Sequence, residues 1–142
     1  MRDERTVKAS PERLWTLLSD LDNWDEMLPT VHTIQRLGPP GLTKVGDRFR
    51  IHNVGLPEAV YEISVWEPDR GFTWVADAPG IRTTAHHRLQ PVKAGTQLTL
   101  GIDWAGPLAG LMGLLLHRRV HRMVSQEAAA FTRLAEAVEH TG

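Results

Sequence analysis

Cysteine is absent from this 142-residue sequence, which excludes disulfides, thiolate nucleophiles and cysteine-ligated zinc or iron–sulfur sites. An excess of charge of either sign is also lacking. The 16 Lys and Arg residues are matched by 17 Asp and Glu residues, which leaves a formal net charge of −1. A protein that binds nucleic acid is expected to carry a basic face, so we predict no nucleic-acid partner.

Long apolar runs are missing as well. The longest strongly apolar stretch, residues 108–116, is shorter than the roughly 20 residues that a membrane-spanning helix needs. The charged N-terminal residues Met-Arg-Asp-Glu-Arg-Thr lack the apolar region of a signal peptide. We therefore expect a soluble, cytoplasmic protein without an integral membrane segment. The length suits one domain with one hydrophobic core.

Two short helices are predicted near the N-terminus, after a first strand at residues 5–9. Ser10 can cap the first helix, and Pro11 suits its first position. The second helix is expected to reach Met27, because Pro29 cannot continue it. The first helix spans residues 10–18 and is amphipathic, since apolar residues recur at helical spacing: Leu14, Trp15, Leu17, Leu18 and Leu21.

Short strands with alternating apolar and polar residues fill the middle of the chain. The alternation predicts strands at 31–37, 48–52, 61–66, 72–76, 81–90 and 98–104, and their short connections favour an antiparallel meander. After Gly106-Pro107 a helical pattern lasts almost to the C-terminus. Such a helix must lie across the sheet to bury its apolar stripe. The stripe consists of Leu116, Val120, Met123, Phe131, Leu134 and Val138.

The register of the strands predicts which side chains face this helix. They are Phe49, Ile51, Tyr61, Ile63, Val65, Phe72, Trp74, Thr83, Ala85, His87, Leu98, Leu100, Ile102 and Trp104. Most of them, the aliphatic residues above all, are expected to form the core. Tyr61, Trp74, Thr83 and His87 are better candidates for a ligand-binding wall, because each carries a polar group among apolar neighbours.

His87 and Tyr61 are the candidates for chemistry, although neither identifies a catalytic site. An inward-facing histidine could orient a ligand carbonyl or act as a general base. The alternative, which is more common, is a neutral histidine with a structural hydrogen bond. The strand register places no carboxylate beside either residue, so a catalytic pair lacks its second member.

The C-terminal helix carries two further patterns. His117 and His121 have the spacing of a metal-binding pair, but residues 118, 119 and 122 are arginines that would repel a cation. We therefore predict a solvated basic face, with no metal and no cofactor. The apolar residues 108–116, with Gly110 and Gly113, could enter a membrane or form the mouth of a pocket. Because their basic neighbours come only afterwards, a pocket or core position is favoured.

Several short motifs, in this order of elements, resemble the START-like, or SRPBCC, superfamily. The likeness covers residues 5–138 and is closest to the polyketide cyclase/dehydrase-like branch. The motifs are Val7-Lys8-Ala9-Ser10-Pro11-Glu12 with Trp15, Leu17-Leu18-Ser19-Asp20, Asn23-Trp24 with Leu28-Pro29, Val45-Gly46-Asp47, Val65-Trp66-Glu67-Pro68, and Leu89-Gln90-Pro91 with Gly95-Thr96.

The resemblance implies an α+β helix-grip fold. In such a fold a seven-stranded curved antiparallel sheet wraps around a long C-terminal helix, and two short helices follow strand 1. It also implies a ligand cavity between sheet and helix, within a single START-like ligand-binding domain over residues 1–142. The superfamily includes carriers, sensors, cyclases and oxygenase domains, so the fold alone does not decide the activity.

The leading hypothesis is that the cavity binds a small, largely hydrophobic molecule, as a carrier, sensor or lipid-binding protein does. One alternative is a polyketide cyclase or dehydratase acting on a poly-β-keto-type substrate, with His87 or Tyr61 moving the proton. Another is a regulatory protein-interaction module without a cavity, using Trp66 and residues 118–122. Ligand identity and oligomeric state stay open. The predicted ligand-binding residues are Phe49, Tyr61, Ile63, Phe72, Trp74, Thr83, His87, Leu100 and Trp104 from the sheet, and Leu111, Met112 and Leu115 from the helix.

Overall fold

A computed structural model describes the backbone of residues 1–141 and the side chains of residues 1–137. Seven strands form one curled sheet, and the last helix packs against it. In chain order the elements are β1 (Arg2–Val7), α1 (Pro11–Leu18), a 3-10 turn (Leu21–Asn23), α2 (Trp24–Met27), β2 (Val31–Leu37), β3 (Arg48–Asn53), β4 (Ala59–Glu67), β5 (Gly71–Ala78), β6 (Ile81–Val92), β7 (Gly95–Ala105) and α3 (Ala109–Thr141).

The sheet is antiparallel throughout, with strand order β1-β7-β6-β5-β4-β3-β2. Consecutive strands from β2 to β7 pair with each other, and β1 adds to the far side of β7. The two short helices carry the chain from β1 at one edge to β2 at the other. This arrangement confirms the predicted helix-grip fold. No helix in the described part of the chain is both long and apolar enough to cross a membrane.

The first helix begins where the sequence predicts. The Ser10 hydroxyl accepts a hydrogen bond from the backbone N–H of Arg13 at 3.1 Å, and Pro11 occupies the first turn. Leu14 and Leu18 lie on its buried face. Strand β1 begins at Arg2, three residues before the predicted start, because its whole length from Arg2 to Val7 pairs with β7.

Trp24 joins the short helices to the sheet and to α3. Its ring centroid lies 5.4 Å from that of Trp74 and 5.7 Å from that of Phe131. Its indole N–H donates to the carbonyl oxygen of Leu18 at 3.2 Å, so the buried donor is satisfied. The side chain therefore packs in the middle of the core, in contact with three separate layers of the fold.

A β-bulge in β4 overturns part of the predicted register. Pairing with β5 shifts between Ile63 and Val65. As a result Val65 faces outward, and Trp66 turns inward against Trp15 and Phe72, at centroid distances of 4.8 and 5.4 Å. The prediction that Val65 faces the helix was wrong, because strict alternation fails wherever one strand carries an extra residue.

The long helix α3 begins at Ala109, two residues after the predicted start at Pro107. The backbone N–H of Leu108 donates to the carbonyl oxygen of Gly80 at 2.9 Å, which ties the segment before the helix to the β5–β6 turn. The buried face of α3 contains Val120, Val124, Ala128, Phe131 and Ala135. The side chain of Val138, expected on the same stripe, lies outside the described residues.

Candidate functional site

Two adjoining spaces lie between the sheet and α3. The inner one is a cavity of about 30 Å³, large enough for one or two water molecules. The outer one is an open-sided groove of about 350 Å³, within the range of about 300–1,000 Å³ typical of small-molecule sites. Tyr61, Ile102 and Met123 line both spaces, so the groove leads to the inner cavity. The open groove is at odds with the alternative of a domain without any cavity.

Seven of the predicted site residues line these spaces. Trp74, His87 and Leu100 line the inner cavity, whereas Thr83 and Trp104 line the groove. Tyr61 lies where the two spaces meet. From the helix, Met112 faces the groove. The predicted wall therefore divides into a nearly filled inner end and a wider mouth.

The other predicted wall residues lie elsewhere. Phe49, Ile63 and Phe72 are fully buried in the core and line neither space. Leu111 and Leu115 are 51% and 65% exposed, so the expectation that they face the sheet is corrected. The reason is helical spacing. Positions 112, 116, 120 and 123 recur on the side of α3 that faces the groove, which turns positions 111 and 115 outward.

His87 is buried and neutral. Its Nδ1 lies 3.2 Å from the carbonyl oxygen of Phe72. A carbonyl oxygen can only accept, so Nδ1 carries the proton and Nε2 is the unprotonated nitrogen. Burial lowers the pKa of the imidazole from 6.5 to about 3. The predicted structural hydrogen bond is thus present, and the ring still supplies an acceptor at the cavity.

Glu127 is the residue that the sequence interpretation missed. It lies on α3, it is buried, and it lines the inner cavity beside Tyr61 and His87. Burial raises the pKa of its carboxyl group to about 8, and no hydrogen bond within the described part of the chain offsets this. At pH 7 the group is therefore mainly protonated and can donate. The sequence did contain a signal for its burial. Glu127 follows Val124 by three residues and Val120 by seven, so the three side chains share one face of the helix.

Tyr61 connects the two spaces. Its ring stacks on Trp74, with 5.0 Å between centroids. Burial, and then the charge that Glu127 carries once the pH exceeds its own pKa, raise the pKa of the Tyr61 hydroxyl to about 12, so the phenol remains protonated. The inner cavity therefore presents two hydroxyl donors, from Tyr61 and Glu127, and one imidazole acceptor from His87. Among the side chains that the structure describes, no Lys or Arg lines it. Such a set can bind an uncharged oxygen group, and the protonated Glu127 can pass a proton to it.

Comparisons with known proteins agree with this architecture. In structure the chain resembles the di-domain ARO/CYC StfQ from the steffimycin biosynthetic pathway, with a TM-score of 0.80 at 14% identity. That match covers 99% of this chain and 51% of StfQ, so the chain spans about half of the di-domain protein. The Zhui aromatase/cyclase from Streptomyces sp. R1128 gives a TM-score of 0.77 at 20% identity, covering 96% of this chain and 92% of Zhui.

A third similar structure is the Thermus thermophilus protein TTHA0849, with a TM-score of 0.72 at 20% identity and 97% coverage of both chains. At these identities the likeness concerns the fold. No curated protein sequence matches the chain. A family model described as polyketide cyclase / dehydrase and lipid transport matches residues 1–139. The chain therefore belongs to the polyketide cyclase/dehydrase family of the SRPBCC superfamily.

Proposed function

We propose that the chain acts as a single ligand-binding domain for a small, largely hydrophobic molecule that carries an uncharged oxygen group. The body of the molecule lies in the groove, and its oxygen group points into the inner cavity. The observation that carries the proposal is the apolar groove that ends beside His87, Glu127 and Tyr61. Apolar burial supplies most of the affinity, at about 25 cal/mol per Å², and the polar groups fix the orientation.

The charges around the inner cavity restrict the ligand further. A ligand carboxylate or phosphate would meet Glu127, with no Lys or Arg beside it among residues 1–137. A carbonyl oxygen can instead accept from the protonated Glu127 or from Tyr61, and a hydroxyl can donate to Nε2 of His87. The favoured ligands are therefore ketones, alcohols and enols, and anionic molecules are disfavoured.

Co-purification with a bound compound is the direct test. The protein, purified from its own host and examined by native mass spectrometry, should carry a compound of this class. Ala59→Trp places a large side chain in the groove and should abolish occupancy. Ala94→Trp, in the exposed β6–β7 turn, is the matched control and should retain it.

If no compound co-purifies, binding of a neutral ketone probe, the fluorescent dye Prodan, tests the groove instead. Prodan should bind the parent and the Ala94→Trp variant but not the Ala59→Trp variant. The anionic dye 1-anilinonaphthalene-8-sulfonate should bind more weakly than Prodan. Equal binding of Prodan to both variants, with both folded by circular dichroism, would show that the groove is not the site.

A second candidate is acid–base catalysis on a bound β-keto-type substrate, as in a cyclase or dehydratase. The observation that favours it is Glu127, whose raised pKa of about 8 lies close to neutral pH, beside the Tyr61 hydroxyl. In a dehydration, Glu127 would donate its proton to a substrate hydroxyl, which leaves as water when the C–O bond breaks. The Glu127 carboxylate would then take the proton from the adjacent substrate carbon as the double bond forms, while the groove holds the substrate in a reactive conformation. Glu127→Gln should then abolish turnover and leave binding intact. A simple carrier would show no turnover in either form.

A further inference from the structure

Four leucines at the start of α3 and just before it are exposed on the outside of the molecule. Leu108, Leu111, Leu114 and Leu115 form this leucine surface, and Leu114 is 81% exposed. On the side of the same stretch that faces the sheet, Met112 and Leu116 line the groove. Residues 108–116 are thus apolar on both sides, but the protein covers only one. The sequence-based preference for a pocket or core position holds for the covered side alone.

A basic cluster continues the same face of the helix. Arg118 and Arg122, with Arg119 beside them, are exposed and begin one turn after the last leucine. At 100° per residue, Arg118 and Arg122 project between the directions of Leu114 and Leu115. The stretch from residue 104 to residue 126 contains no Asp or Glu, although the chain as a whole has a net charge of −1.

The β3–β4 connection extends this surface beside the mouth of the groove. The Arg119 guanidinium donates to the carbonyl oxygen of Gly55 at 3.3 Å. Val54, next to Gly55, is largely exposed. Leu56 and Pro57 follow and line the groove itself. The leucine surface, the arginines and the groove mouth therefore lie close together at the N-terminal end of α3.

We propose that the leucine surface docks onto an anionic lipid bilayer, with the leucines in the interfacial region and the three arginines against lipid phosphates. Apolar residues beside Arg or Lys on one helix are typical of segments that lie in a membrane interface. A second copy of this chain fits the surface less well. It would bring the same three arginines and no acidic residue from this segment, whereas anionic lipid supplies the complementary charge. Docking here would present the groove mouth to the bilayer.

Vesicle co-sedimentation tests the proposal. The parent protein should bind vesicles of phosphatidylcholine with phosphatidylserine more tightly than vesicles of phosphatidylcholine alone, and added salt should weaken the binding. The double variant Leu114→Ser/Leu115→Ser should lose about tenfold or more in affinity. Leu42→Ser is the matched control, because Leu42 is 95% exposed in the β2–β3 connection, and it should bind like the parent.

Variants of the arginines provide a second test of vesicle binding. Arg118→Gln and Arg122→Gln should each weaken binding to the anionic vesicles about fivefold, the equivalent of roughly 1 kcal/mol per arginine. Arg133→Gln, farther along α3 and also exposed, should have no such effect.

Two outcomes would overturn the proposal. One is equal binding of the parent to both kinds of vesicle, or equal binding of the parent and the double leucine variant. The other is a parent dimer that ignores vesicles and becomes monomeric in the double variant, which would assign the surface to a second copy. The proposal does not depend on the proposed ligand, since the double variant should keep its bound compound or its Prodan affinity.

Discussion

The His87 ring stacks on the Phe72 ring across neighbouring strands, with 4.1 Å between centroids, and its Nδ1 donates to the Phe72 carbonyl oxygen. These two contacts to one residue fix both the ring plane and the tautomer. The ring can then offer only Nε2 to a molecule in the inner cavity. His87 is thus held as an acceptor before any ligand arrives.

His87→Phe should separate the stacking of the ring on Phe72 from its role as a hydrogen-bond acceptor for the ligand. Phe keeps an aromatic ring against Phe72 but has no nitrogen for a ligand hydroxyl. We expect binding of a hydroxyl-bearing ligand to fall about tenfold, the equivalent of one hydrogen bond, with little change in unfolding temperature. Titration of the co-purifying alcohol or enol, alongside a thermal scan, measures both. Unchanged affinity for such a ligand would remove His87 from the site.

Stability should vary with pH through two buried groups of opposite behaviour. Folded Glu127 has a pKa of about 8 against an ordinary 4.5, so the folded state holds the extra proton between these values and loses stability as pH rises. Folded His87 has a pKa of about 3 against 6.5, so the unfolded state holds the extra proton there and stability falls with falling pH. The two effects oppose each other between pH 4.5 and 6.5. From these groups we expect little change in stability between pH 4.5 and 6.5, and a decline from 6.5 to 8 as the folded protein loses the Glu127 proton.

Urea unfolding across this range measures the decline, and Glu127→Gln isolates its cause. The variant should lose the fall between pH 6.5 and 8. It should also lose the flat region between pH 4.5 and 6.5, so that its stability falls with falling pH already from about 6.5, because only the His87 effect remains. Glu62→Gln, on the exposed side of β4, is the control and should follow the parent. A variant at position 127 that declines as steeply as the parent would contradict a protonated Glu127.

Trp24→Ala should destabilise the fold strongly. The buried ring contacts the sheet and α3, and its removal leaves a cavity where these layers meet. Substitutions of this kind typically cost about 3–5 kcal/mol. Trp104→Ala is the comparison, because that ring is only half buried at the groove and should cost markedly less. The midpoints of denaturant unfolding, with unchanged slopes, give the loss of stability of each variant. Equal losses for Trp24→Ala and Trp104→Ala would show that Trp24 has no special role in joining the layers.

Two glycines should respond to alanine in opposite directions. Gly71 has φ +133°, and a Cβ there would clash with the His87 carbonyl oxygen, so Gly71→Ala should cost about 3 kcal/mol or more. Gly110 lies within α3 with open space around it, so Gly110→Ala should stabilise by up to about 1 kcal/mol. Thermal unfolding distinguishes the two signs. A tolerated Gly71→Ala would indicate that the β5–β6 pair can shift to make room.

The order of the elements and most of the inner wall follow from the sequence. Period-two alternation places Trp74 and His87 correctly because β5 and β6 pair without interruption. The same rule fails for Val65, where a bulge in β4 reverses the alternation and brings Trp66 inward. A bulge depends on pairing with the neighbouring strand, so the alternation within β4 alone does not reveal it.

The residues of α3 that line the groove and the inner cavity were harder to predict, for a different reason. Residues 108–116 are apolar nearly all round, so hydrophobicity could not tell the covered Met112 from the exposed Leu111 and Leu115. Glu127 was overlooked because a carboxylate is ordinarily assigned to the solvent side. Its place on the buried face follows from helical spacing. The raised pKa of its carboxyl group follows only from the three-dimensional packing.

The pairing of β1 with β7 has a consequence for how the chain folds. Val7 pairs with Thr96 and Arg2 with Gly101, so these contacts join residues about 90 or more positions apart, and such non-local pairing is slow to form. The β2–β7 meander can assemble from local hairpins. The β7 edge of the sheet, in contrast, is completed only when β1, from the start of the chain, pairs with it. During synthesis on a ribosome, the pairing of β1 with β7 must wait until β7 is made, when nearly three-quarters of these 142 residues have been synthesised.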